Sequence, residues 1–222
     1  MKATVHDLEV ISDIRTYELL KYNPISEHIT DITFTTHEYY KAAVLEELVE
    51  GLSLIMCIDS YVIGFLTGFK GEVKADDVGF TGFKEDYAED CAKKLPCPPE
   101  VAIIKVIVDE MRKCIKYHVP VGYYYSISRF SIQKDFCGAG LGKALWKASL
   151  TIAKQHGFKY VEAECSAVAS TKVAESLGLR SFFVFPLERA ILNGKPFFPP
   201  VLSDGLTGAN LVIGEIDNYN TL

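Results

Sequence analysis

The chain has 222 residues, 49% of them hydrophobic, with a formal net charge of −6. That apolar share builds a sizeable core without help from disulfides, and the acidic balance excludes a nucleic-acid binder, whose footprint is basic. It fits a cationic small substrate better.

The start, MKATVHDLEV, carries no apolar targeting core, and no apolar run approaches the length of a membrane span. The expectation is a protein of the cytoplasm (the nucleus is also compatible) with no membrane partner. Six cysteines, at 57, 91, 97, 114, 137 and 165, are scattered without a CxxC pair. Their spacing fits no standard zinc site, so no metal is expected and they read as buried thiols.

In chain order, residues 8–14 (LEVISDI) read as a first strand, followed by a short helix over 15–22 and a Pro-containing loop over 23–29. Thr35 followed by Glu38 is a capping-box signal for a helix that Gly51 closes. The apolar runs 52–58 and 61–69, parted by Asp59-Ser60, predict a hairpin of buried strands. Residues 70–99 are polar and irregular, a long loop with a functional or mobile role. Pro98-Pro99-Glu100 opens a helix with Val101, Ile104, Ile107 or Val108, Met111 and Ile115 on one face, ending near His118. A strand over 123–132 then enters a glycine-rich turn. The next helix carries Leu141, Leu145, Ala148 and Ile152 inward and stops at Gly157. A strand over 158–164, a helix over 166–177, a further strand, a Pro-rich connection and a last strand over 209–215 complete the chain. No repeat or linker divides it, so residues 1–222 form one α+β domain.

The organising stretch is 130–157, FSIQKDFCGAGLGKALWKASLTIAKQHG, with Gly138, Gly140 and Gly142 between strand and helix. Glycines there leave backbone N–H groups uncovered, and the helix adds its own free N–H groups and the positive end of its dipole, which together cradle an anion. A Walker A loop fails, because Cys137 stands where its first Gly belongs and Ala144 where Ser or Thr belongs. A dinucleotide fingerprint from Gly138 fails at Lys143, where it needs Gly. What remains is Arg/Gln-x-x-Gly-x-Gly/Ala, met by Cys137-Gly138-Ala139-Gly140-Leu141-Gly142 with Cys at the first position.

That turn resembles the pyrophosphate loop of the GNAT superfamily of acetyl-CoA-dependent N-acetyltransferases, and the element order is similar to that fold. The run Cys165 to Ser170 with Glu175-Ser176-Leu177-Gly178-Leu179 resembles the C-S-x-x-x-S…E-x-L-G-F signature of insect dopamine and arylalkylamine N-acetyltransferases. Asn193 to Pro200 is similar to their G-x-x-V-F-x-P-P segment. The resemblance implies a mixed, mostly antiparallel sheet flanked by helices, acetyl-CoA as co-substrate, a small primary amine as acceptor, and no metal. The acceptor is protonated at neutral pH, so a base must take a proton before it attacks the thioester.

The resemblance assigns that base to Glu27, since Ser26-Glu27-His28-Ile29 sits where the family has D-E-P-L/I. It implies Ser170 as proton donor near the CoA sulfur and Ser166 as an aid to the substrate's proton; N-capping and packing explain the same serines without chemistry. The backbone of Ser131, Ile132 and Gln133 would bond the pantetheine arm. Residues Cys137, Gly138, Ala139, Gly140, Leu141, Gly142 and Lys143 would hold the pyrophosphate, with Lys134 and Lys147 adding charge. Tyr39, Tyr40, Tyr123 to Tyr125, Phe182, Phe183 and Phe185 either line an acceptor pocket or pack the core. The alternative reading is a CoA-binding regulatory module of the same fold without turnover.

Overall fold

The computed structural model describes residues 1–28, 34–94, 97 and 99–218. The chain opens with a helix, not a strand. Thr4 Oγ1 accepts from His6 N at 3.3 Å, and Thr4 N donates to the Asp7 carboxylate at 2.8 Å, a capping box on the first turn. Behind it runs α1 (Leu8–Tyr22), covering both the expected strand and the short helix. The apparent alternation in LEVISDI was misleading: Ile11 and Ile14 are three apart and face Val44, Leu48, Ile55 and Phe65. The outermost pairing comes earlier, from Met1–Ala3, where Lys2 bridges Leu54 and Ala3 N donates to Ser53 O at 2.9 Å. The stretch 24–28 is a 3-10 turn (Pro24–His28). Helix α2 spans Phe34–Val49, so Thr35 lies within it and not ahead of it, and Glu38 contacts His37. Ile29 of the expected loop lies outside the described residues.

The hairpin is as expected: β1 (Leu54–Ile58) and β2 (Tyr61–Val73) pair antiparallel, with Asp59 at φ +53 in the turn. Asp tolerates that left-handed conformation better than most residues. Strand β2 then pairs antiparallel with β3 (Gly122–Ile132). Tyrosines of β3 lie across glycines of β2. A Cβ on Gly68 would fall 2.3 Å from the Tyr125 hydroxyl and 2.5 Å from its ring, and one on Gly71 would fall 2.2 Å from the Tyr124 ring. The rings cover the bare backbone and fix the register.

The 70–99 segment is tied down. After β2 it forms α3 (Ala88–Ala92), and the Asp86 carboxylate accepts from the N–H groups of Ala88 (2.7 Å), Gly194 (2.5 Å) and Asn193 (3.3 Å). Those backbone bonds, Ala88's first, hold Asp86 below the usual carboxylate range. Tyr87 is fully buried beside Phe185. Helix α4 (Pro99–Arg112) follows, ending six residues before His118, with a 3-10 turn at Ile115–Tyr117.

Helix α5 (Leu141–Gln155) carries the chain to β4 (Tyr160–Cys165), which runs parallel to β3. Its buried side chains are Leu145, Trp146, Ser149, Leu150 and Ala153; Ala148, expected inward, is exposed. Helix α6 (Val168–Ser176), β5 (Arg180–Pro186), a small hairpin β6 (Ile191–Leu192) and β7 (Lys195–Pro196), and β8 (Gly208–Glu215) follow. The six-stranded order is β1-β2-β3-β4-β8-β5, mixed and mostly antiparallel, an α+β fold.

Alternation divides the sheet. Leu66, Tyr125, Ile127, Val161, Ala163 and Val212 face α5 and α6. On the other face, Ile55 and Phe65 meet α1 and α2, while Tyr124, Leu211 and Ile213 belong to the cluster around α4. No helix among the described residues is long and apolar enough to cross a membrane.

Candidate active site

The site begins with a break in the sheet. Strands β3 and β4 pair at Tyr125↔Val161, Ser126↔Glu162 and Ile127↔Ala163, and the ladder ends there although both strands continue. The cause lies across β3, where the β2 register shifts between Thr67↔Arg129 and Gly68↔Ile127, leaving Ser128 as the extra residue of a bulge. A bulge bends its strand and increases local twist. Beyond it, residues 129–132 stay paired to β2 but not to β4, so the β4-facing edge carries backbone N–H and C=O groups without a ladder partner. Ser131 and Ile132 lie on this edge, opposite Phe65 and Gly64 of β2. Gln133 follows, its N–H on Ile63 O at 2.8 Å and its amide donating to Val62 O at 2.8 Å.

The glycine turn stands at the open end of that edge. A 3-10 turn (Lys134–Phe136) leads into Cys137, Gly138 and Ala139, all exposed, and Gly140 is the N-cap of α5. Gly138 and Gly140 have φ of +87 and +77, and a Cβ on either would meet nothing within 4 Å. The conformation calls for glycine and the space in front is open. Gly142 is different: its Cβ would press on Phe130 Cζ at 2.8 Å, so this glycine lets α5 close onto β3. The first N–H groups of α5, from Leu141, Gly142 and Lys143, have no partner within the helix and carry its positive dipole end. The thiol of Cys137 turns back, with Sγ 3.5 Å from Ile132 O and 3.6 Å from Gln133 O.

On the face away from α5, the splay is backed by a buried polar cluster drawn from five elements. Glu47 of α2 accepts from Ser128 Oγ at 2.7 Å and from Arg129 Nη1. The bulge is what lets Ser128 and Arg129 share that partner. The Arg15 guanidinium of α1 lies 3.4 Å from the centroid of the Tyr40 ring. Burial and the neighbouring Arg15 charge hold Arg129 below its ordinary range. From β4, Glu162 is fully buried and Glu164 is paired with Arg112 of α4. Among the described residues, neither Glu162 oxygen nor the buried Ser126 Oγ makes a hydrogen bond of standard geometry, although Ser126 lies beside the Glu162 carboxyl. Burial, then the Glu164 charge, push Glu162 above the carboxylate range, against the pull of Arg112.

The candidate catalytic residues are linked through the tail. Glu27 Oε1 accepts from Ser203 Oγ at 2.8 Å, and the next residue, Asp204, accepts from Val168 N at 2.7 Å, the first residue of α6. One turn of the tail thus holds Glu27 and the start of α6 together. Ser166 precedes α6; the N-cap is Ala167, so Ser166 neither caps the helix nor shares a helical face with Ser170. The missing cap is supplied by Asp204. Ser170 Oγ donates to Ala167 O at 2.9 Å, and its hydroxyl also lies against the Cys165 thiol, which burial pushes up to about 12. Ser170 therefore stands over the end of β4 on the α5 side.

The aromatic candidates separate. Phe183 and Phe185 pack with Phe80, Phe83 and Tyr87 in the core, and Phe182 lies on His118 at 4.3 Å. Tyr123 is exposed, Tyr124 is buried, and Tyr125 is buried with its hydroxyl on Leu52 O at 3.1 Å. Tyr39 and Tyr40 reach the Arg15 and Arg129 part of the polar cluster, Tyr39 accepting from Lys105 Nζ at 2.8 Å, and Tyr124 reaches its Arg112 and Glu162 part. Among the described residues no group of three or more His, Cys, Asp or Glu is arranged to hold a metal.

Sequence reading missed Glu47, Arg129, Glu162 and Glu164. Two Glu at alternate positions of the otherwise apolar strand YVEAEC were the available signal.

A splayed parallel pair with a glycine turn and helix between its strands is the frame against which the comparisons stand. The family model of the acetyltransferase (GNAT) family matches residues 22–179. The chain belongs to that family. It is an acetyltransferase by class, and the match includes β3, the glycine turn and α6. A search by sequence among curated proteins finds no match. Solved structures similar to this GNAT chain include arylalkylamine N-acetyltransferase 2 from Aedes aegypti (TM-score 0.78, 17% identity, 97% of each chain covered). Another is the polyamine N-acetyltransferase of Drosophila melanogaster, described as forming N-acetylagmatine (0.70, 12%, 96% of this chain and 97% of that one). A third is yncA from Salmonella typhimurium with its cofactor acetyl-CoA (0.53, 13%, 100% and 95%).

Proposed function

We propose that this GNAT chain, acting as one catalytic domain over residues 1–222, transfers the acetyl group of acetyl-CoA to a small primary amine of arylalkylamine type in the cytoplasm. The observation that carries the reading is the free β3 edge beside the open glycine turn. An extended pantetheine arm adds to such an edge as a strand would, through main-chain hydrogen bonds. Ser131, Ile132 and Gln133 take that role. The N–H groups of 138–143 take the pyrophosphate, helped by Lys134, Lys143 and Lys147. The named acceptors of two similar folds, an arylalkylamine and agmatine, support an amine acceptor.

In this mechanism the amine loses a proton to a carboxylate, attacks the thioester carbonyl, and the tetrahedral oxygen is met by a backbone N–H of the free edge. The thiolate leaves on the α5 side, where the Ser170 hydroxyl gives it a proton. Glu27 and the start of α6, joined through the Ser203–Asp204 turn, border the acceptor's approach together with Ser166, and Glu27 is one candidate for the base. The test is acetyl-CoA against a panel of arylalkylamines, polyamines and aliphatic amines. Saturable acetylation of at least one amine and thermal stabilisation by acetyl-CoA are expected; neither binding nor transfer overturns the reading.

A further inference from the structure

We propose that the Glu162–Glu164 carboxyl pair, buried under the opening between β3 and β4, is the base that takes the acceptor's proton, a role that rests on the acetyl-transfer reading above.

Glu164 lies one residue beyond the last β3–β4 pair, on the face away from α5, so its carboxylate backs the gap that the thioester must occupy. Glu162 lies one residue before the end of the ladder on the same face, paired across to Ser126. The groups facing the pair are Arg112 from α4, and Tyr124 and Ser126 from β3, with Arg129 in electrostatic reach of Glu164. Among the described residues Arg112 bonds Glu164 and not Glu162, whose nearest polar neighbour is Ser126. Two carboxyl groups on one face of the strand share the single cation Arg112, which is bonded to Glu164, so one negative charge of the pair is unbalanced and a proton can be held there. Glu27, by contrast, is at the surface, with Ser203 on its carboxylate.

The location also fits the direction of reaction. Ser170 is on the α5 side of β4 and the carboxyl pair on the opposite side, so nucleophile and leaving group are served from opposite faces of the splay. An ammonium acceptor gives one proton to Glu164, with Glu162 sharing it. The neutral nitrogen then forms its bond to the carbonyl carbon, and the carbon–sulfur bond breaks. The second nitrogen-bound proton passes to the thiolate through Ser170, and the proton on the pair returns to solvent, leaving amide and CoA thiol.

The test compares wild type, Glu162→Gln, Glu164→Gln and Glu27→Gln across pH, with an alkylamine and with a weakly basic arylamine already neutral in the assay. Both pair variants are expected to lose about 10²-fold or more in kcat/KM for the alkylamine, with the rise of rate with pH removed. For the neutral arylamine the loss should shrink to about tenfold or less, which a merely structural role would not produce. Acetyl-CoA binding by calorimetry should be retained. If Glu164→Gln unfolds by stranding Arg112, the double variant Arg112→Met/Glu164→Gln removes both charges and carries the same comparison. Equal losses for both acceptors, a surviving pH inflection in the pair variants, or its disappearance in Glu27→Gln overturns the proposal. A wild type that acetylates no amine sinks the functional reading itself and takes this proposal with it, an outcome distinct from those three.

Discussion

The two sides of the splayed strands solve opposite problems with different materials. On the α5 side the proposed recognition is made of backbone: N–H groups at the exposed turn 138–140 and the start of α5, an open strand edge, and a helix dipole, all drawn from one continuous stretch. On the other side stand ionisable side chains, Arg15, Glu47, Arg112, Arg129, Glu162 and Glu164, brought from α1, α2, α4, β3 and β4 into the interior. A long, multiply charged ligand suits the first, because backbone donors in water-accessible positions cost little to leave empty. Proton transfer suits the second, because only desolvated charges shift far enough to work near neutral pH.

The largest expected effect tests the buried side. Glu47→Ala leaves the Arg129 guanidinium, buried near that of Arg15, without its carboxylate. Stability should fall by about 3–5 kcal/mol, the range for breaking a buried ion pair by removing one partner. Urea denaturation measures it, and a loss within the range of a surface substitution would mean that the cluster is solvated and not a buried network.

The equivalent strike at the backbone side is smaller in stability and larger in binding. Gly140→Val forces a β-branched residue into a left-handed conformation, costing about 1–2 kcal/mol. It also covers the N–H groups at the start of α5. The Kd for acetyl-CoA should rise by about tenfold or more, while the same substitution at exposed Ala139 does less. Equal effects at the two positions would refute the turn as the anion cradle.

This difference in materials also explains what was legible in the sequence. The glycine turn, the hairpin, α5, β4 and the one-sided order of the C-terminal half follow from spacing that the chain writes locally. The cluster does not, because Arg15, Glu47 and Glu162 are ordinary surface residues until tertiary packing buries them. The misreading of 8–14 has the same root. Val10, Ile11 and Ile14 suit a strand or a helix equally, and the choice is made by Val44, Leu48, Ile55 and Phe65, contributed by other elements. Ser166 falls inside the helix expected over 166–177 but precedes α6, and the Asp204 carboxylate, 36 residues from Val168, explains why α6 begins without its own capping side chain.

A pH experiment sharpens the contrast without any substrate. Glu162 is raised above the carboxylate range in the folded protein, so the unfolded chain loses this proton first as pH rises. Stability is therefore expected to fall as pH climbs from the ordinary carboxylate range to the raised folded value, then to level off. Glu162→Gln lacks the ionisable group and should lose that slope, gaining on wild type in urea midpoint as pH increases through the window. Parallel profiles would return Glu162 to an ordinary, solvated carboxylate.

The smallest effect belongs to Cys137, the residue in the turn that departs from the Arg or Gln of the resembling loops. Its side chain is exposed and leans toward the Ile132 and Gln133 carbonyls, so it supplies no positive charge to an anion in front of Gly138. If the cradle is a backbone device, a cation there is an addition and not a repair. Cys137→Arg should lower the KM for acetyl-CoA by about two- to fivefold, the scale of one exposed charge-assisted contact. The gain should fade at high salt as the charge is screened, with kcat unchanged. Cys137→Ser should change neither constant. A large gain from arginine, or a loss with serine, would mean that side chains carry the cofactor side as well, and the division between the two sides of the splay would fail at its exposed end.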